Sequence, residues 1–85
     1  MSFDNKVLIV FQSTHHVLKS EEFLRKHAIQ FKTRFAPREI SSECGLVLMI
    51  NLEDCSQCRN IISREAQIEP IRFFRNFEGA WIPFG

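Results

Sequence analysis

The residues of this chain best suited to do chemistry lie in one polar stretch, PREISSECG, at positions 37–45. The stretch places a thiol, Cys44, after two serines and a glutamate and directly before Gly45. A structural cysteine usually packs among apolar neighbours, because the thiol behaves as a small hydrophobe. A cysteine in polar surroundings favours a reactive role instead, in which the thiolate acts as a nucleophile.

The same stretch offers groups that could serve such a thiol. Arg38 could hold an anion through two parallel hydrogen bonds, and Ser41 and Ser42 supply hydroxyl donors. Gly45 would let a ligand or another backbone approach the sulfur closely. The alternative is a polar loop with an incidental cysteine, and the residue types alone leave both interpretations open.

A second group of polar residues lies well upstream, where STHH follows an apolar run. Ser13 or Thr14 can cap a helix that starts there. The free N–H groups of a helix start, together with cationic side chains, favour the thiolate form of a nearby cysteine. His15 is therefore either a member of the site or an ordinary surface histidine.

A third candidate is CSQC, residues 55–58, which opens a helix after a strand as thioredoxin-type redox motifs do. Glu53 and Asp54 directly precede the motif, and their charges would oppose thiolate formation. Zinc needs four ligands, and no second Cys/His pair accompanies the motif within one chain, so no metal is expected unless a dimer supplies a second C-x-x-C. No cofactor is expected either. The structural alternative packs Cys58 inward and leaves Cys55 near the surface.

Composition limits the class of protein. The 85 residues predict a single domain, 1–85, with a core at about 6–75 and an apolar tail at 76–85. No apolar run approaches the ~20 residues of a membrane helix, and no secretory signal is evident. An odd number of cysteines, three, fits a reduced cytoplasmic protein better than a disulfide framework.

Charge is unevenly distributed along a chain whose net charge is only +1. Residues 25–38 contain five Lys or Arg residues, with His27, and no Asp or Glu. One interpretation is an edge strand with outward charges, which discourage sheets from pairing edge to edge. The other is a basic patch for a phosphate or an acidic partner.

Apolar patterning predicts six elements in the order β-α-β-β-α-β. The predicted strands are 6–11, 31–35, 45–50 and 68–74, and the predicted helices begin at Ser13 or Thr14 and at Asp54. The first and third strands are continuously apolar and should be central. Pro70 confines the last strand to a sheet edge, because proline cannot donate to a ladder.

This order predicts an α+β, ferredoxin-like sandwich, with a four-stranded antiparallel sheet of order 4-1-3-2 and both helices on one face. In that topology the first strand ends where the third begins, and the first helix starts at the same end of the sheet. Ser13, Thr14 and His15 should therefore lie close to Cys44. The CSQC motif should lie at the opposite end.

The helix-free face of such a sheet needs a cover or a partner. The apolar tail could fold over this face. Otherwise, a homodimer could form through the open face or through the tail. RNA recognition by this fold uses aromatic residues on the third strand. The predicted third strand, GLVLMI, has none, so nucleic acid is not expected as a partner.

Together, the pattern STHH-V-x-x-x-E-x-x-L and the stretch PREISSECG are specific. Over residues 7–50 the chain resembles the bacterial domain-of-unknown-function family described as putative selenium/sulfur carrier protein-like. The resemblance implies a small cytoplasmic protein whose cysteine carries sulfur or selenium between a donor and an acceptor enzyme. The residues that the resemblance singles out are His15, Glu21, Pro37, Arg38, Ser41, Cys44 and Gly45.

We therefore expect a carrier rather than a true enzyme, with a persulfide or selenium adduct on Cys44. Two other functions stay open at this point. One is a regulatory module that binds a small anion at the same place, and the other is a dithiol oxidoreductase that uses CSQC.

Overall fold

The computed structural model of the chain describes residues 5–84 and shows an α+β fold with an antiparallel sheet and two helices. The elements, in chain order, are β1 (Lys6–Val10), α1 (Thr14–Lys26), β2 (Phe31–Phe35), β3 (Leu46–Asn51), α2 (Cys55–Asn60), β4 (Arg72–Phe77) and β5 (Ala80–Pro83). A 3-10 turn, Leu52–Asp54, leads into α2, and a π-helical turn, Ile61–Glu65, continues it. Neither helix within residues 5–84 is long and apolar enough to cross a membrane.

The sheet has five strands, in the order β2-β3-β1-β4-β5. The predicted four-stranded sheet of order 4-1-3-2 is therefore corrected, because β5 pairs with the outer side of β4. The chain turns back through Glu78 and Gly79, whose φ angles are 50° and 86°. A two-residue turn with both φ angles positive matches the twist of a β-hairpin, so the tail adds a strand.

The prediction that Pro70 confines the last strand to a sheet edge was wrong. β4 begins at Arg72, so Pro70 lies in the preceding connection and costs the ladder no hydrogen bond. β4 lies between β1 and β5 and is paired on both sides.

One face of the sheet carries both helices. Alternate strand residues on this face pack against apolar residues of α1, α2 and the π-helical turn, because successive side chains of a strand point to opposite faces. The buried residues of this layer include Val7, Ile9, Leu48, Ile50 and Phe73 from the strands and Val17, Leu24, Cys58 and Ile62 from the helical segments. This layer is the main hydrophobic core.

The opposite face has no helix over it, yet its apolar residues are buried. They are Leu8, Val10, Val47, Met49 and Phe74, each at most 8% exposed. Ile40, from the loop between β2 and β3, and Trp81, from β5, pack against this cluster. The predicted tail therefore covers the face in part, through Trp81, and a homodimer through this face remains a prediction.

Candidate functional site

The loop between β2 and β3 carries the predicted thiol and is fixed at several points. The Ala36 N–H donates to the Gly45 carbonyl oxygen at 2.9 Å and closes the base of the loop. In the middle, the Ile40 N–H donates to the Pro37 carbonyl oxygen at 3.0 Å, and the Ile40 side chain is 4% exposed. A loop anchored in this way can hold a side chain in a defined place.

Gly45 is required by backbone conformation rather than by crowding. Its φ is +75°, in the left-handed region that a side chain disfavours. A β-carbon at this position would meet nothing within 4 Å. That Gly45 lets a ligand or another backbone approach the Cys44 sulfur stays a prediction.

Cys44 is half-buried, and its sulfur lies among backbone carbonyl groups. The thiol donates to the Leu46 carbonyl oxygen at 3.4 Å and to the Phe11 carbonyl oxygen at 3.6 Å. The Ser42 hydroxyl lies 3.8 Å from the sulfur and also accepts a hydrogen bond from the Gly45 N–H at 3.2 Å. The two bonds to the carbonyl groups use the thiol proton, whereas either the Ser42 hydroxyl or the thiol can donate in the third contact.

The contact between Cys44 and Phe11 brings the loop to the end of β1, directly before α1. Ser13 caps that helix, since its side-chain oxygen accepts the His16 N–H at 3.2 Å. Thr14 and His15 occupy the first turn and are exposed. The structure therefore brings the Cys44 loop next to the turn that leads into α1, as the predicted topology requires.

Two of the predicted site residues do not contact the sulfur. Arg38 is exposed and forms no hydrogen bond or ion pair with any residue from 5 to 84. Ser41 takes part through its backbone, because its carbonyl oxygen accepts a hydrogen bond from the Arg72 guanidinium. Arg38 and the Ser41 hydroxyl can act only on a molecule that approaches from outside.

Arg72 is a residue of this region that the sequence did not predict. It is the first residue of β4 and pairs with Val10, so it lies at the end of β1 beside the Cys44 loop. The signal that could have revealed Arg72 was the position of the last strand relative to its neighbour β1. The prediction placed that strand at 68–74, which put Arg72 inside the strand and not at its start.

The CSQC cysteines are both buried, which corrects the expectation that Cys55 lies near the surface. Cys55 is 7% exposed and Cys58 is fully buried in the main core. Burial raises the pKa of Cys55, although the Arg59 guanidinium beside it opposes this effect. Burial, together with Asp54 and Cys55, raises the pKa of Cys58 to about 12. Burial and the raised pKa values both oppose formation of a thiolate at either position.

All three cysteines are free thiols. Across the described part of the chain, no group of three or more His, Cys, Asp or Glu side chains is arranged to hold a metal ion. Of the three thiols, Cys44 is the one that is not buried.

Comparison with known protein families identifies the family of this chain. The model of the family described as "Putative Se/S carrier protein-like" matches residues 6–75, and the chain belongs to this family. The match covers the sheet from β1 into β4 and includes the whole Cys44 loop. No curated protein and no solved structure matches the chain significantly.

Proposed function

We propose that this protein carries sulfur or selenium on Cys44 between a donor enzyme and an acceptor enzyme. The observation that carries the proposal is the contrast among the three cysteines. Cys44 is half-exposed on an anchored loop, whereas Cys55 and Cys58 are buried in the core with raised pKa values. Membership in the Se/S carrier family supports the same choice of chemistry.

The loading step transfers one sulfur atom without net oxidation or reduction. The Cys44 thiolate attacks the terminal sulfur of a persulfide on the donor enzyme, and a new S–S bond forms on Cys44. The S–S bond within the donor breaks, and its electron pair leaves on the donor cysteine as a thiolate. Delivery to an acceptor repeats the same exchange, with Cys44 as the leaving thiolate.

The residues around Cys44 supply distinct parts of this step. Ser42 is the hydroxyl nearest the sulfur and can donate to it once the proton has left. Arg38, exposed at the same loop, would pair with negative charge on the incoming persulfide. The exposed first turn of α1, with His15, forms the neighbouring surface that a partner enzyme would meet.

The test is loading by a cysteine desulfurase with free cysteine, followed by measurement of the intact mass. Wild-type protein should gain the mass of one sulfur atom, and the gain should disappear on treatment with a thiol reductant. Cys44→Ser should gain nothing. A Cys55→Ser, Cys58→Ser double variant should load like wild type, because buried thiols cannot reach a donor.

Two results would overturn the proposal. If Cys44→Ser still loads, the sulfur lies elsewhere, and the CSQC thiols become the leading candidates. If wild-type protein does not load from a desulfurase or from a small-molecule persulfide, Cys44 is not a carrier thiol.

A further inference from the structure

The β2 edge of the sheet is exposed and rich in positive charge. Within residues 5–84, β2 pairs only with β3, so its other side has no neighbouring strand. Four of its five residues are exposed, and the Phe35 side chain is 86% exposed. An exposed edge of this kind is a template for another strand.

The register fixes which backbone groups point outward from this edge. The Ala36 N–H bonds to the Gly45 carbonyl oxygen, so that pair of residues is a hydrogen-bonded one. Bonded and non-bonded pairs alternate along an antiparallel ladder. The N–H and C=O groups of Phe31, Thr33 and Phe35 therefore point away from β3. Those of Lys32 and Arg34 point toward β3 and bond to it.

A groove of about 810 Å³ lies beside this edge, and its lining combines basic residues with apolar and amide side chains. The basic residues that line it are Lys6, Arg25, Lys32 and Arg34. No Asp or Glu is among its lining residues in the described part of the chain. Glu21 lies near by on the helix side, where it contacts Arg25 at 3.7 Å and accepts from the Thr33 hydroxyl. One carboxylate does not cancel this set of cations.

We propose that the β2 edge binds an extended, acidic segment of a partner protein as an added strand. The outward backbone groups of Phe31, Thr33 and Phe35 would form the ladder with that segment. The side chain of Lys32 would pair with carboxylates on alternate residues of the segment, since alternate side chains of a strand share one face. The proposal does not depend on sulfur transfer.

Charge argues against a second copy of this chain as the occupant. Antiparallel pairing of β2 with β2 around Thr33 would place Lys32 opposite Arg34. Like charges directly opposite one another destabilise a strand pair. Nucleic acid would satisfy the charges but has no strand to bond with the outward N–H and C=O groups.

The edge also leads toward the Cys44 loop. Phe35, at the end of β2, pairs with Leu46 of β3, two residues after Cys44. A segment bound along β2 would therefore direct the rest of its protein to the loop that carries the thiol.

The test uses a synthetic capped peptide of alternating valine and glutamate, with a valine–lysine peptide of equal length as the control. Backbone amide hydrogen exchange is followed by NMR. Without peptide, the outward amides of Thr33 and Phe35 should exchange fast, and the amide of Lys32 should be slower. The acidic peptide should slow exchange at Thr33 and Phe35, and the basic peptide should not.

Lys32→Glu should weaken binding of the acidic peptide by about tenfold, whereas Arg64→Glu, at an exposed cation of the π-helical turn, should not. Amide spectra that match those of the wild type outside β2 would show that both variants fold. The proposal fails if neither peptide binds, if both bind equally, or if the acidic peptide binds without protecting Thr33 and Phe35. Protection that appears with protein concentration alone indicates self-pairing, and tighter binding of an oligonucleotide than of the acidic peptide indicates a nucleic-acid surface. Either result overturns it.

Discussion

The sulfur of Cys44 lies 3.6 Å from the carbonyl oxygen of Phe11, so one thiol joins the β2–β3 loop to the end of β1. A second bond, to the Leu46 carbonyl oxygen at 3.4 Å, uses the same proton. Attack on a persulfide requires the thiolate, which can make neither bond. If Cys44 carries sulfur as proposed, ionisation breaks both bonds, and the Ser42 hydroxyl 3.8 Å away can then donate to the sulfur.

Ser42 and Ser41 form a matched pair for testing which groups assist the sulfur. Ser42→Ala removes the hydroxyl beside the sulfur and the acceptor of the Gly45 N–H. One hydrogen bond is worth ~1 kcal/mol, so alkylation of Cys44 by iodoacetamide should slow about fivefold. Ser41→Ala keeps the carbonyl oxygen that Arg72 bonds and should leave the rate unchanged. Equal rates in wild type and Ser42→Ala would remove Ser42 from the site.

The three cysteines should alkylate in a fixed order. Cys44 should react first near neutral pH, because it alone is not buried. Cys58, whose pKa is raised to about 12, has roughly one thiolate in 10⁴ molecules at pH 8. In urea, all three should react at similar rates. Peptide mapping after a short exposure to iodoacetamide measures the order, and early labelling of Cys55 would contradict it.

Buried Cys58 should make the protein less stable in alkaline solution. Below the ordinary cysteine pKa of 9.0, the thiol is protonated in both the folded and the unfolded chain. As the pH rises above that value, the unfolded chain loses this proton while the folded chain retains it, until about pH 12. The free energy of unfolding should therefore fall with rising pH across this range.

Urea unfolding at pH 8 and pH 10.5 measures this effect. Cys58→Ala removes the titrating group and should show a smaller drop in urea midpoint between the two pH values than wild type does. The comparison uses the drop, because the alanine also changes core packing. An equal drop in both proteins would show that Cys58 does not contribute.

Ser13 and Thr14, at the start of α1, form a second matched pair of substitution sites, which tests the helix cap. Ser13 caps the helix through its side chain, so Ser13→Ala should cost about 1 kcal/mol of unfolding free energy. Thr14 lies next to it, is exposed and begins the helix proper, and Thr14→Ala should cost less. Urea titration of both variants at neutral pH measures the difference. A larger loss in Thr14→Ala would place the cap one residue later.

The sequence predicts the elements up to β3 well, because their patterns are local. The alternation in FKTRF predicts β2 at the residues where it lies, and the apolar runs predict β1 and β3 to within one residue at each end. Ser13 is the cap because its side chain is the hydroxyl placed to bond the His16 N–H. The pattern that predicts each of these features is local in the sequence, although the strands themselves pair over long separations.

The C-terminal part is less predictable, because it depends on pairing and not on composition. The apolar residues of 68–74 suggest a strand, but the strand that pairs with β1 runs from Arg72 to Phe77. The hairpin signal was present in Glu78 and Gly79, between two segments with aromatic residues. An apolar tail can pack in many ways, and only the turn selects a fifth strand.

The candidate site was predictable in its position but not in its contacts. Strand order alone brings Cys44 to the end of β1. The identity of the atoms around the sulfur depends on backbone carbonyl groups, which every residue carries and no motif reveals. Arg38 was predicted as a site residue from its type alone, and the structure shows its side chain exposed.

The central claim, that Cys44 carries the transferred sulfur, is tested most directly in wild-type protein, where all three thiols compete. The protein is loaded by a cysteine desulfurase, its free thiols are capped, and each cysteine peptide is examined for an added sulfur atom. The account predicts the added sulfur on the peptide containing Cys44, with Cys55 and Cys58 found as capped thiols once the protein is unfolded. An added sulfur on Cys55 or Cys58, with Cys44 unmodified, would contradict it.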